Sequence, residues 1–400
     1  MTETEPLSHK SRRNRDIECL RAVAVIGVAF HHMQGDLFHP GIPLIAALLK
    51  HADFWYGVDL FFAISGFVIA RSLLPQMATC HGQPRKQIGV IIAFWIRRFW
   101  RLVPSAWLWL GIILLASVVF NQSGVYKSIH ANLMATLAGL LDVANFRFAD
   151  AFFRYDYGAS FVYWSLSLEE QFYLLLPLFA AILKRHIWLL MVVLFAVQLC
   201  LFRTPLLMSV RTDALALGVL LAIATPGRVY AALEPRFLLK LRTWRVILPL
   251  LLLAAMSVVI APDLQYWRFR ISAIAVLSAT LVWLASYDRD YLLPEGMIKR
   301  VLTWTGARSY AIYLIHIPAY YALRETAFRL GVEPHAWVLF LLATTLIALL
   351  SDLNYRYLER PLRVHGRHVA DRFLQRRAHD APSVDAEEDH SATAATGPNV

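Results

Sequence analysis

Charged residues are scarce in this 400-residue chain: Asp, Glu, Lys and Arg make up 17% of it. A soluble protein of ordinary composition carries about 25%. Hydrophobic residues reach 58%, and the mean hydropathy is +0.50. Those values exclude a typical cytosolic enzyme, a disordered scaffold and a collagen-like chain. Cysteine is rare too. Cys19, Cys80 and Cys200 lie far apart, with neither a disulfide framework nor metal-ligand spacing among them. No repeat, no glycine-rich phosphate loop and no cleavable signal peptide is visible; the first apolar run is too long and lacks a small-residue cleavage site.

What the chain has instead is apolar runs. A bilayer crossing needs roughly 17–25 residues, and such runs lie at about 17–35, 54–74, 102–120, 163–183, 187–203, 205–224, 246–261, 271–286, 304–322 and 336–354. The segment 129–146 is interrupted by Asn132, Asp142 and Asn145, and is expected to be an amphipathic surface helix. The net charge of +11 then reads as cytoplasmic loops rather than a nucleic-acid surface. With ten spans and an inside N-terminus, 26 Lys and Arg fall in inner segments and nine in outer ones. Counting 129–146 as a span would destroy that bias. The expectation is an all-α polytopic membrane protein with about ten transmembrane helices and both termini cytoplasmic. Residues 1–16 form a basic cytoplasmic N-terminus, 17–363 the membrane domain, and 364–400 a cytoplasmic tail, disordered from about 378.

Ionisable groups inside a bilayer are costly, so each is a functional candidate. Arg21 and His32 are eleven residues apart, which places them on one face of the first span about 16 Å from each other. His31 would face elsewhere. Snorkelling of Arg21 to headgroups and bonding of the histidine to a neighbouring helix are the bland alternatives. Arg98 and Arg101, spaced i, i+3 before the third span, could grip phosphates or serve as a positive-inside anchor. An outer layer holds Asp59, Glu169, Glu170, Arg211, Asp213 and His316. Ser167-x-x-Glu170 reads as a capping box, which leaves Glu169 as the better chemical candidate. Arg211 and Asp213 could form a local ion pair. Cations inside and a His/Glu/Asp cluster outside fit two classes: an enzyme with a phosphate-bearing donor, or a proton-coupled carrier or flippase for a glycan or lipid.

Six strings in order resemble membrane acyltransferase family three, the bacterial O-acyltransferases of polysaccharides, lipopolysaccharide, nodulation factors and antibiotics. They are Arg15 to Ala22 with the Arg21-x10-His32 pair; Gly57 to Phe67; Arg98-Phe99-Trp100-Arg101; Trp164-Ser165-Leu166-Ser167-Leu168-Glu169 to Tyr173; Ser309 to Pro318; and Tyr357 to Pro361. Cys19 stands where many members have glycine. The resemblance covers about 15–363, and the chain looks like a stand-alone form without the SGNH domain that many members carry. It implies an enzyme of the bacterial inner membrane, an acyltransferase with no permanently bound cofactor. Acyl-CoA, acetyl-CoA by default, would be the donor, and a glycan, glycolipid or other hydroxyl-bearing molecule the acceptor at the outer side. Membrane lipids are its surroundings. In that scheme Arg21, Arg98 and Arg101 hold the donor and His32 is the general base. Glu169 orients His32 or the sugar, and His316 polarises the thioester. Direct and histidine-relayed transfer both remain open. Asp59, Trp164, Ser165, Glu170, Arg211 and Asp213 support the site.

Overall fold

A computed structural model describes residues 14–38, 41–152, 154–241 and 243–379. The disordered tail expected from about 378 therefore lies almost wholly outside the described residues, as does most of the basic N-terminus. Among the described residues the secondary structure is helical, with no strand. The first ten helices are α1 Arg15–His32, α2 Pro43–His51, α3 Gly57–Thr79, α4 Pro84–Val119, α5 Ile129–Leu140, α6 Ala144–Ala151, α7 Tyr163–Leu183, α8 Ile187–Cys200, α9 Pro205–Ser209 and α10 Asp213–Ala224. After them come α11 Arg228–Ala232, α12 Phe237–Lys240, α13 Trp244–Ile260, α14 Arg270–Ser286, α15 Met297–Ala307, α16 Ser309–Leu330, α17 Ala336–Asn354 and α18 Arg360–His379.

Every one of the ten apolar runs is helical over most of its length. By length and composition, five described helical stretches can cross a membrane, or six if α11–α13 count as one bent span. Apolar side chains cover much of the outside; Leu115, Ile182 and Leu349 are exposed there. In water that surface would be untenable, whereas in lipid it is the solvent-facing one.

Helix α1 packs between α3, α15 and α16, and α3 packs along α10. The α3–α10 crossing is close because Gly66 and Gly218 meet the partner backbone. A Cβ at either position would run into the carbonyl oxygen of Leu215 or Ala63. Small residues at such a contact are how membrane helices gain packing energy without a hydrophobic driving force. The start of α1 is fixed by Asn14, which caps Ile17 N–H at 2.9 Å and donates to Ala285 O at 2.8 Å. Two residues further, the fully buried Lys299 bonds Asp16 at 2.6 Å.

Two features differ from the sequence expectation. The 129–146 segment is two helices, not one. It breaks at Asp142, whose φ is +58°, and Asn132 and Asn145 are buried rather than facing solvent. The 363/364 boundary also falls inside α18, which packs on α4 as far as Leu374 and Arg377, beside Gly89.

Candidate active site

Helix α1 connects two cavities. Arg21 lines one and His32 lines the other. Eleven residues of helix bring both to one face, so the rise between them, about 16 Å, sets the spacing of the two sites.

Arg21 lines a cavity between the helices. Arg98 and Arg101 reach it from α4, Ser65 from α3, Ser165, Glu169, Glu170 and Tyr173 from α7, and Tyr310 and Tyr313 from α16. Three guanidinium groups on two helices thus share one space with two carboxylates. Glu169 accepts hydrogen bonds from the hydroxyls of Ser65 and Tyr173. The Arg98 guanidinium lies over the rings of Phe94 and Tyr173, at 5.4 and 5.2 Å from their centroids. Stacking of this kind holds a planar cation in place while leaving its N–H edge for an anion.

This corrects the two-layer sorting of the polar residues. Glu169 and Glu170 belong with the arginines, because α7 starts at Tyr163 and carries them two turns inward. The capping box also fails: Ser167 is inside the helix, and Val162 precedes it without a side-chain cap. Ser167 instead accepts from Ala144 N–H at 3.3 Å. Glu170 thus has no structural duty from capping, and it shares the cavity with Glu169 on equal terms.

At the other cavity, His32 Nδ1 lies 3.0 Å from His316 Nε2, and His316 Nδ1 lies 3.2 Å from Ile312 O. A carbonyl oxygen only accepts, so His316 carries its proton on Nδ1. Its Nε2 is then a lone pair that accepts from His32 Nδ1–H. The network leaves His32 Nε2 unprotonated. The His32 ring meets Phe161 edge-on at 5.2 Å. His316 is fully buried, with one ring nitrogen against His32 and the other against the Ile312 carbonyl. Glu169, engaged by Ser65 and Tyr173, has no bond to His32.

The two cavities approach each other through Tyr313. Its ring lies 5.7 Å from that of His316 and 6.1 Å from Phe61, and its hydroxyl lies 2.7 Å from Ser165 Oγ. Tyr313, Phe61 and Ser165 all line the arginine cavity.

The remaining candidates sit apart from both nitrogen lone pair and cavity. Asp59 takes both oxygens to Arg211, at 2.8 and 3.0 Å, with the pair 2% and 3% exposed. Trp164 stacks on that guanidinium at 4.7 Å. Asp213 bonds Arg203 and, at 2.7 Å, Ser272. The local Arg211–Asp213 pair is therefore not formed; each has a partner from elsewhere. Ser65, Tyr173 and Tyr313 also belong to the arginine cavity, and nothing in their spacing along the chain marks them. All three lie within the family-like strings, but only their hydroxyls' partners mark them out.

An acyltransferase domain model matches residues 14–352. The peptidoglycan O-acetyltransferase OatA of Listeria monocytogenes is 29% identical over 379 residues, covering 88% of this chain and 56% of its own. The O-acetyltransferase OatA of Staphylococcus aureus (strain NCTC 8325) is 24% identical over 372 residues, covering 88% and 57%. This chain spans little more than half the length of the curated relatives it matches. No solved structure matches it. With the family model covering most of its length and the apolar helices on its outside, the chain is a multi-pass membrane protein that belongs to the membrane acyltransferase family three.

Proposed function

We propose that the protein transfers an acyl group, acetyl by default, from acyl-CoA in the arginine cavity to a hydroxyl of a carbohydrate in the His32 cavity. The observation that carries this is α1 itself: one helix face presents a cation to one cavity and an oriented imidazole lone pair to the other. The relatives' names support acetyl as the group and peptidoglycan as an example of the acceptor class.

Arg98 and Arg101, with Arg21 facing them, would bind the phosphates of coenzyme A through charge-assisted bonds. The flexible pantetheine arm would then carry the thioester along α1 toward Tyr313 and His316. His32 Nε2 takes the proton of the acceptor hydroxyl as its oxygen attacks the acyl carbon; the C–S bond breaks and the thiolate takes up a proton. General-base help of this kind contributes roughly 10²–10⁴ in rate. His316 fixes the His32 tautomer. Glu169 and Glu170 would offset part of the charge of the three arginines. The positive-inside bias supports ten spans with both termini cytoplasmic, the donor cavity inside and the acceptor cavity outside.

Binding of acetyl-CoA to the purified protein tests the donor half. Arg98→Ala and Arg101→Ala should each weaken it by about tenfold or more, the worth of a charge-assisted hydrogen bond. Unchanged affinity would return both arginines to the role of headgroup anchors and favour a carrier that leaves the thioester intact.

A further inference from the structure

A second histidine faces the His32 cavity, and the transfer chemistry leaves it unused. His31 and His32 are consecutive at the end of α1, so their side chains leave the helix about 100° apart. Helix α1 gives way there to a π-turn at Met33–Leu37, and both rings line one open cavity with Gln34, Asp36, Lys50 and Asp53. The ring centroids are 5.1 Å apart.

Each imidazole is held through Nδ1, by different partners. His31 Nδ1 lies 2.6 Å from Asp53 Oδ1. That carboxylate also accepts from Phe54 N–H at 2.6 Å, while Asp53 N–H donates to Ser257 O at 2.9 Å. Asp53 is 6% exposed, whereas the His31 side chain is 31% exposed. A carboxylate only accepts, so His31 carries its proton on Nδ1, and Nε2 on the opposite edge of the ring is left for a ligand. A buried carboxylate fixing a half-exposed imidazole is an arrangement that sets direction.

We propose that His31 binds the acceptor, taking a hydroxyl next to the one that His32 deprotonates, and that Asp53 positions His31. The proposal rests on the acyltransferase reading and deepens it. Two imidazoles side by side suit an acceptor with neighbouring hydroxyls, a sugar or polyol, with Gln34, Asp36 and Lys50 as further polar contacts. A lipid alcohol with one hydroxyl would leave His31 without a partner.

The test uses the full chain in detergent, acetyl-CoA as donor and peptidoglycan disaccharide as acceptor probe. His31→Ala should raise the acceptor KM about tenfold, the loss of one hydrogen bond to a well-held group, while kcat falls less than about threefold. His31→Gln keeps a hydrogen-bonding side chain and should recover most of that loss. Asp53→Asn should raise the same KM, and the double variant Asp53→Asn/His31→Ala should be no worse than His31→Ala alone, since Asp53 acts through His31. An unmoved acceptor KM, or losses that add in the double variant, would overturn the role. If His31→Ala aggregates, Asp53→Asn carries the same measurement. Coenzyme A release that is normal with an unmoved KM overturns only His31. No release by the unaltered protein overturns the acyltransferase reading, and the acceptor role with it.

Discussion

Removing one member of the Asp59–Arg211 pair leaves a full charge among Trp55, Phe62 and Trp164, whose rings surround the guanidinium at 5.4, 5.8 and 4.7 Å. Breaking a buried pair in this way costs about 3–5 kcal/mol, while exchanging both partners for apolar groups costs far less. Asp59→Ala should therefore lower the melting temperature and yield in detergent, and Asp59→Leu/Arg211→Leu should recover much of both. Equal losses in the single and double variants would mean that the ions themselves are needed. At this scale the sequence marks the residues and misses their partners. Asp59 and Arg211 are 152 positions apart, so nothing local pairs them, whereas Arg211 and Asp213 look paired and are not. The same holds for His316: the sequence marks it, but its contact with His32, 284 positions away, is visible only in the fold.

Helix α5 ends at Leu140 because the chain turns through Asp142 in the left-handed region. The interruptions that looked like a polar face are interior contacts. Asn132 Oδ1 accepts from Ala159 N–H at 2.9 Å, and Asn145 exchanges hydrogen bonds with Gln171 at 3.1 and 2.9 Å. A single helical period could not show this, since buried amides and solvated ones have the same letter. Burial pushes the Asp142 carboxyl up to about 7, against the opposing hydrogen bond with Ser167. The folded state therefore favours the protonated acid. This site's contribution to stability is intact below the ordinary carboxylate range, falls as pH rises toward 7, and is constant above it. Asparagine tolerates the positive φ and carries no charge. Asp142→Asn should raise the melting temperature clearly at pH 8 and little at pH 5. A gain independent of pH would place its origin in the backbone instead.

At the scale of the molecule, the apolar runs and their order were readable because bilayer thickness fixes the length of a span. Helix α4 shows where that reading runs out. At 36 residues it continues well past the apolar run at 102–120, so Arg98 and Arg101 lie within one helix instead of before it. The count of ten spans and their direction are proposed on the charge bias, and labelling tests them. In a chain freed of its three cysteines, a single cysteine at position 123 should react with a membrane-impermeant reagent in intact cells. One at position 235 should react only after permeabilisation. Reversal beyond residue 151 would mean that the 129–146 segment crosses the membrane once.

One face of α1 is proposed to join a donor cavity to an acceptor cavity through an oriented His32. Coenzyme A release from acetyl-CoA by purified protein, with and without peptidoglycan disaccharides, compared with His32→Ala, addresses it most directly. Release should depend on the acceptor and fall by at least about a hundredfold in the variant, with acetyl-CoA binding retained. Undiminished transfer by His32→Ala would contradict that role of His32.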